Sequence, residues 1–581
     1  MRIAGRCWRF AQYLVMTLAL AACAGLMTAG ENAFAQQPGR PFRAEPANTE
    51  RYSNPPAEAQ WQRPRAAVTV PAAAQPVQAP QVAPFKLTAV TVEGATAISP
   101  DKISSTYSEK IGRIVAGPDI LEILQGITDL YRGAGYHLSR AIIPPQDLKR
   151  GVLRISVIEG SIEEVSLAGN GRDTFGVLAV LRPITAERPS RLSTLERQLL
   201  LVNDRPGARV ADVSLEEIGN ATGRFRLVVT VEIWRIYWTQ GLDNYGTSAI
   251  GPLQGYTAAA FNSYLLPGDS ISVVASTVPD ATNELRFGKA AYDIPVGADG
   301  ARVGFSAYQS TVRPGDDRRF VGDYTRTTGY ELRGSIVPLL SRESSLTLVA
   351  AAGYTDAYEG DTGGLIYADK IRTGSLSADY KLKDNFDGWN NFIVTLRQGF
   401  GFFGASSIND PMTSRAGASG EFTAVNLTYI RLQTFSEIWS AKLAVTSQFA
   451  ANPLLLSQQY FLGGAAFGPG YYSGDNGVGG SFEFRFDQKT TWEYLKGYQL
   501  YSFIDGGQVW DVHDGVRSSL ASIGTGVRFF FSDALTGGVS VAVPIHDRFG
   551  STDPSNFRIL FSVLNYFKVC PEAGSLSCQR R

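Results

Sequence analysis

The sequence predicts a mainly β fold: a sixteen-stranded antiparallel transmembrane β-barrel preceded by two small α+β domains. Three observations carry that prediction. From Trp234 onward helical periodicity disappears, and segments of about nine to fourteen residues alternate apolar with polar positions between turns such as PGD, GADG and DGG. Before Trp234 the order β-α-α-β-β occurs twice, in two stretches of unlike sequence. The N-terminus carries an export leader.

In that leader, Arg2, Arg6 and Arg9 precede an apolar stretch, and Ala33-Phe34-Ala35 supplies small residues before a cut, so residues 1–35 read as a signal peptide. Leu20-Ala21-Ala22-Cys23 resembles a lipoprotein signal, but the Ala-Phe-Ala site is the better one. Cleavage there leaves Cys570 and Cys578, which either close a small disulfide loop or stay as free thiols on a tail at 568–581. No other stretch approaches the ~18 consecutive apolar residues of a spanning helix. Residues 36–84 hold ten prolines among Ala, Gln and Arg, the composition of an unfolded linker.

Order is expected from Phe85. In a first domain at 85–160, FKLTAVTVEG alternates as a strand and Ser99-Pro100 starts a helix. A second helix sets Ile120, Leu121, Leu124, Ile127, Leu130 and Tyr131 on one stripe and ends at Gly133 and Gly135. HLSRAIIPPQ and GVLRISVIEG complete it as strands. A second domain at 161–233 repeats the order. Ser193 and Glu196 are spaced as a capping box in its second helix, whose apolar face is Leu195, Leu199 and Val202.

The barrel is expected at 234–567. Ile523, Thr525, Val527, Phe529 and Phe531 share a face opposite Ser522, Gly524, Gly526 and Arg528, and Val539, Val541, Val543 and Ile545 oppose Gly538, Ser540 and Ala542. Likewise Ala441, Leu443, Val445 and Phe449 oppose Ser440, Lys442, Thr446 and Gln448. Apolar-out and polar-in strands of ~10 residues with aromatics near their ends mark an outer-membrane barrel. A soluble sandwich would bury its apolar face instead, and no blade repeat of a propeller is found.

Chemistry is sparse. Lys plus Arg equals Asp plus Glu at 54 each, which lacks the basic excess of a nucleic-acid binder. The three histidines, His137, His513 and His546, have no metal-ligand spacing. No Gly-x-Ser-x-Gly elbow or phosphate loop occurs, so no catalytic residue, metal or cofactor is assigned. The pair Glu483 and Asp505 reads better as inward charge in a lumen than as an acid/base couple.

Two β-α-α-β-β domains ahead of a barrel resemble the POTRA domains and pore of two-partner secretion transporters of the TpsB type, the hemolysin secretion/activation proteins. The resemblance covers about residues 85–567 and rests on FKLTAVTVEGATAISPDKI, GSIEEVSLAGN, LSTLERQLLLVNDRPGARV and the hairpin ELRFGKAAYDIPVGADGARVGFSAYQS. It implies an outer-membrane pore with periplasmic POTRA domains. These capture an unfolded exoprotein, such as an adhesin, a hemolysin or a similar large β-helical client, and the pore secretes it without ATP. It also implies a monomeric barrel, contact with outer-membrane lipid, and no nucleic acid. An assembly factor of the same superfamily and a passive porin-like channel are the alternatives.

The run FLGGAAFGPGYYSGD, between strands eleven and twelve, falls where the family folds a long loop into its pore, here residues 451–478. Its tip resembles the family's Arg-Gly-aromatic triplet through Gly470 and Tyr471, with Pro469 in the arginine's place. GGSFEFRFD resembles the Glu-x-Arg pattern as Glu483 and Arg485, with Phe482, Phe484 and Phe486 toward lipid, and YSFIDGGQVW resembles Phe-x-Asp-x-Gly as Phe503, Asp505 and Gly507. In the family the tip arginine reaches these inward acids. Here either another cation such as Arg485 pairs with Asp505, or packing alone holds the loop. The 36–84 stretch offers no helix for the family's N-terminal plug.

Overall fold

A computed structural model describes residues 82–168, 173–219, 222–247, 249–464, 468–513, 517–546 and 557–569. The leader, the proline-rich linker up to residue 81, and Cys570 and Cys578 lie outside them. No helix among the described residues is long and apolar enough to cross a membrane, which says nothing of strands.

The first unit runs β1 (Phe85–Lys86), β2 (Ala89–Glu93), α1 (Pro100–Ser104), β3 (Ile114–Val115), α2 (Gly117–Gly133), β4 (Arg140–Ile142) and β5 (Val152–Ile158). Its sheet has the order β2-β5-β4, with β2 parallel to β5. Ile120, Ile123, Leu124, Ile127 and Tyr131 of α2 fill the core against Leu153, Ile155 and Val157. Ile123 replaces Leu121 and Leu130 in the expected stripe. Those two flank it, half-buried, because the sheet meets the helix along a slightly rotated line. Asp119 caps α2 by accepting from the Ala116 amide at 2.9 Å.

The second unit runs β6 (Ser161–Leu167), α3 (Val177–Ala186), α4 (Leu192–Asn203), β7 (Ala208–Glu217) and β8 (Arg224–Ile233), with sheet order β6-β8-β7. Leu195, Leu199 and Val202 are buried as expected. The capping box is not formed. Arg191 takes the N-cap position without a side-chain bond, Ser193 lies inside the first turn, and Glu196 instead pairs with Arg342 at 3.0 Å. The two units are fused. Leu138 of the first enters the core of the second, the Leu192 amide donates to Gly135 at 2.9 Å, and Arg140 pairs with Glu217 at 2.7 Å. His137 sits at this junction with both ring nitrogens buried and unbonded among the described residues.

The barrel closes from sixteen strands. They are β9 (Ile236–Asp243), β10 (Gln254–Asn262), β11 (Ser270–Thr277), β12 (Leu285–Val296), β13 (Ala301–Val312), β14 (Tyr324–Leu340), β15 (Ser344–Asp361) and β16 (Gly364–Lys383). After β17 (Gly388–Gly399), β18 (Thr423–Thr434) and β19 (Trp439–Ala450) comes an inner hairpin, β20 (Tyr460–Gly464) and β21 (Gly468–Gly474), outside the barrel sheet. The wall resumes with β22 (Asn476–Trp492), β23 (Leu495–Trp510), β24 (Arg517–Phe530), β25 (Leu535–His546) and β26 (Arg558–Val569), which pairs antiparallel with β9.

Alternation decides the faces: Val539, Val541, Val543 and Ile545 are exposed, while Ser540 and Ala542 on the same strand are buried. Strand β16 reaches 20 residues and β15 reaches 18, beyond the expected nine to fourteen. Their upper halves continue past the apolar band, where a change of surroundings leaves no mark on a period of two.

Helix α4 docks the second unit on one rim. Arg197 Nη2 donates to Val337 O at 2.7 Å, beside the Glu196–Arg342 pair on the β14–β15 turn. Leu201 packs on Gly300, where a Cβ would lie 2.6 Å from it. Arg205, just past the C-terminus of α4 and nearly buried, donates to Gly176 O at 2.8 Å and Pro267 O at 3.2 Å. Three turns of the barrel thus hold one helix.

Candidate functional site

Between β19 and β22 the chain turns inward. The hairpin β20–β21 pairs Tyr460 with Gly474, Leu462 with Tyr472 and Gly464 with Gly468. It lies against the inner wall of β22, β23 and β24. Tyr460 donates to or accepts from Thr446 Oγ1 at 2.6 Å, and its ring covers Gly477, where a Cβ would come 2.1 Å from it. Leu462 occupies the space over Gly507, leaving 2.5 Å for a Cβ there. Glycine on the wall is thus what lets the hairpin approach. The wall strand begins at Asn476, so the loop spans 451–475; residues 476–478 belong to β22, whose bare glycines hide the alternation that would have marked it.

At its root the loop is clasped by charge. Asp475, 1% exposed, pairs with Arg415 from the 400–422 connection and accepts from the Leu454 amide at 2.9 Å and the Val512 amide at 3.1 Å. Arg415 also pairs with Asp511 at 3.2 Å, and Asp511 accepts from the Asp475 amide at 3.2 Å. Gln459 donates to both carboxylates at 3.3 Å. Three separate connections meet at one guanidinium.

Below the hairpin the predicted inward residues line β22 and β23. Glu483 and Arg485 are buried, while Phe482 and Phe484 face outward. Arg485 pairs with Glu483, two residues back on its own strand. The second cation on Glu483 is Arg528 of β24, donating to Oε2 at 2.8 Å and to Gln499 at 2.6 Å, while its guanidinium stacks 3.8 Å from the Tyr501 ring centre. Phe503 is buried against Ala542 and Leu560.

Asp505 accepts from Ser522 and lies beside the hairpin, 2.7 Å from where a Gly464 Cβ would sit. The structure therefore places Arg485 with Glu483, and the carboxylate at the hairpin is Asp505. The backbone of Pro469, Gly470 and Tyr471 runs in β21; their side chains, and Phe467, fall outside the described residues. Arg528 was legible as the lone charge on an inward face, whereas Arg415, Asp475 and Asp511 carried no local signal.

The arrangement binds and occludes: a packed hairpin is held at its root, and a charged wall lies beneath it. Residues 85–160 match the POTRA domain, ShlB-type, and residues 227–529, just over half the chain, match the haemolysin secretion/activation protein ShlB/FhaC/HecB family. The heme/hemopexin transporter protein HuxB of Haemophilus influenzae is 21% identical over 488 residues, 79% of this chain and 83% of that protein. The outer membrane transporter CdiB of Escherichia coli is 24% identical over 217 residues, 37% of this chain and 36% of that protein.

Among solved structures, CdiB from Escherichia coli matches with a TM-score of 0.70 at 19% identity, covering 88% of this chain and 96% of that one. CdiB from Acinetobacter baumannii matches at 0.59 and 15% identity, covering 96% and 98%. These likenesses concern the fold. With a sixteen-stranded barrel, an inward hairpin, α+β units on one rim and a family match across most of the barrel, the chain belongs to the haemolysin secretion/activation protein ShlB/FhaC/HecB family of outer-membrane transporters.

Proposed function

We propose that this chain is the pore of a two-partner secretion pair. It takes an unfolded exoprotein from the periplasm and passes it through the barrel lumen when the 451–475 loop moves. Residues 161–233 act as a second POTRA domain beside the matched first one, and the client adds to a free sheet edge through main-chain hydrogen bonds. The observation that carries the reading is the hairpin β20–β21, which fills the lumen side of β22–β24 while the two units stand fused to the opposite rim.

Gly470 and Tyr471 in β21, Asp505 and Gly507 against the hairpin, and Glu483, Arg485 and Phe503 on the wall beneath it line the closed state. The client is a large β-helical exoprotein of the adhesin or hemolysin kind, the barrel works as a monomer, and transport needs no covalent chemistry. Folding of the client outside the cell supplies the direction. Removing residues 86–233 tests the reading: the barrel should still insert, and secretion should stop. Secretion that persists through an assembled, truncated barrel refutes it.

A further inference from the structure

The outer face of β14–β16 changes character above the apolar band. Phe305 stacks on Tyr330, and Tyr330 on Tyr354, forming an aromatic row at the top of that band. On the same face Arg372 stands level with the row, opposite Tyr354, and Lys370 opposite Asp356 and Arg326 opposite Tyr358 stand one and two same-face pairs higher. Arg372 is an outward-facing arginine that is nonetheless buried. Its guanidinium lies 3.4 Å from the Tyr354 ring centre, pairs with Asp356 at 2.8 Å and donates to Phe403 O at 3.2 Å. Lys370 and Arg326 are exposed.

What covers Arg372 is the segment after β17. Beyond Gly399 the upper part of β16 has no wall strand on that side, and the segment docks there instead. Phe400 N donates to Arg372 O at 2.9 Å and Ser406 N to Lys370 O at 2.9 Å. Phe400 lies over Gly374, 3.1 Å from a Cβ there, so its ring is on the lipid side of the sheet. Phe402 stacks on Phe400, Phe403 meets Phe402 edge-on, and Phe403 is 79% exposed. Phe403 also holds φ at +50°, a left-handed conformation that side chains adopt at a cost. Two solvent-facing rings, one of them on a strained backbone, stand beside exposed Lys370, with exposed Arg326 two strands away on the same face and on the rim away from the α+β units; this is the chemistry of a headgroup boundary.

We propose that Phe402 and Phe403 insert into the outer leaflet and that Arg326 and Lys370 bind the phosphates of a phosphorylated glycolipid of the lipid A type. The site is continuous with the lipid-facing band and lies on the same 400–422 connection as Arg415. The test uses the chain without its leader, residues 36–581, with Cys570→Ser, Cys578→Ser and Phe403→Cys, the last carrying an environment-sensitive dye. The protein is placed in nanodiscs of phosphatidylcholine alone, with phosphatidylglycerol, or with lipid A.

Quenching by shallow spin-labelled lipid should be at least threefold stronger with lipid A than with phosphatidylcholine. Arg326→Gln with Lys370→Gln should remove that difference while heat-modifiable migration stays normal. Equal quenching with phosphatidylglycerol and lipid A overturns the glycolipid assignment, and a dye that stays in water in all three discs overturns the site. Hydrogen exchange of residues 400–408 in the unsubstituted chain, slowed only by lipid A, is the second readout and guards against damage from the label.

Discussion

Replacing Arg415 by glutamine removes the guanidinium on which three connections converge. Asp475 would remain buried beside Asp511, with only amides and Gln459 to hold its charge. Breaking a fully buried ion pair from one side costs roughly 3–5 kcal/mol. Arg415 and Asp511 keep 17% and 19% of their side-chain surface in contact with water, so screening lowers the expected cost to about 2–3 kcal/mol.

The clasp ties Leu454 and Asp475, the two ends of the loop, to neighbours, so its loss weighs on the closed state. A bias of about 2 kcal/mol raises the open-to-closed ratio ~30-fold. Planar-bilayer recordings of the purified full chain should therefore show a sharply higher open probability for Arg415→Gln. Adding Asp475→Asn removes the stranded charge, and the double variant should recover at least ~1 kcal/mol of the loss. If the single variant inserts normally and its dwell times match the parent, the root of the loop does not hold the hairpin and the reasoning fails.

Other outcomes follow from the wall, the band and the periplasmic junction. Pro469→Arg should place a cation near Asp505 and lengthen closed times through a charge-assisted pair worth about 1–3 kcal/mol; Asp505→Asn should cancel most of the gain in the same recordings. Val541→Arg should cost roughly 2–4 kcal/mol near the bilayer midplane, read as loss of heat-modifiable migration, whereas Val541→Leu should assemble. Burial lowers His137 to about 4 from its ordinary 6.5, so its neutral form belongs to the folded junction. Stability from this residue is complete above pH 6.5 and falls as pH drops toward 4, by roughly 1–2 kcal/mol at pH 5. The urea transition of the α+β units, followed in the full chain, should show that slope, and His137→Gln should flatten it.

What the sequence disclosed depended on whether a feature repeats locally. Strand faces such as Val539–Ile545 and the inward Glu483 and Arg485 announce themselves every second residue, so fold and wall were legible. The apolar stripe of α2 was legible except for its rotation, which only the facing sheet decides. The capping-box spacing of Ser193 and Glu196 misled because Glu196 has a stronger partner in Arg342, far along the chain. The clasp was invisible for the same reason: Arg415, Asp475 and Asp511 sit in three connections, and no period links them. Arg372 would have read as an error in a lipid-facing strand until the Phe400–Ser406 segment was seen lying over it.

The docking of α4 has a consequence for how this molecule is put together. Arg197, Leu201 and Arg205 grip the turns at Val337, Gly300 and Pro267, and Leu138 is shared between the two units. The periplasmic arm is therefore not a portable module. A chimera that grafts the arm of a relative onto this pore inherits mismatched turns, and one that exchanges the first unit alone cuts through a common core. On the proposed reading recognition and pore must change together, so drift in client preference is harnessed to a handful of barrel turns.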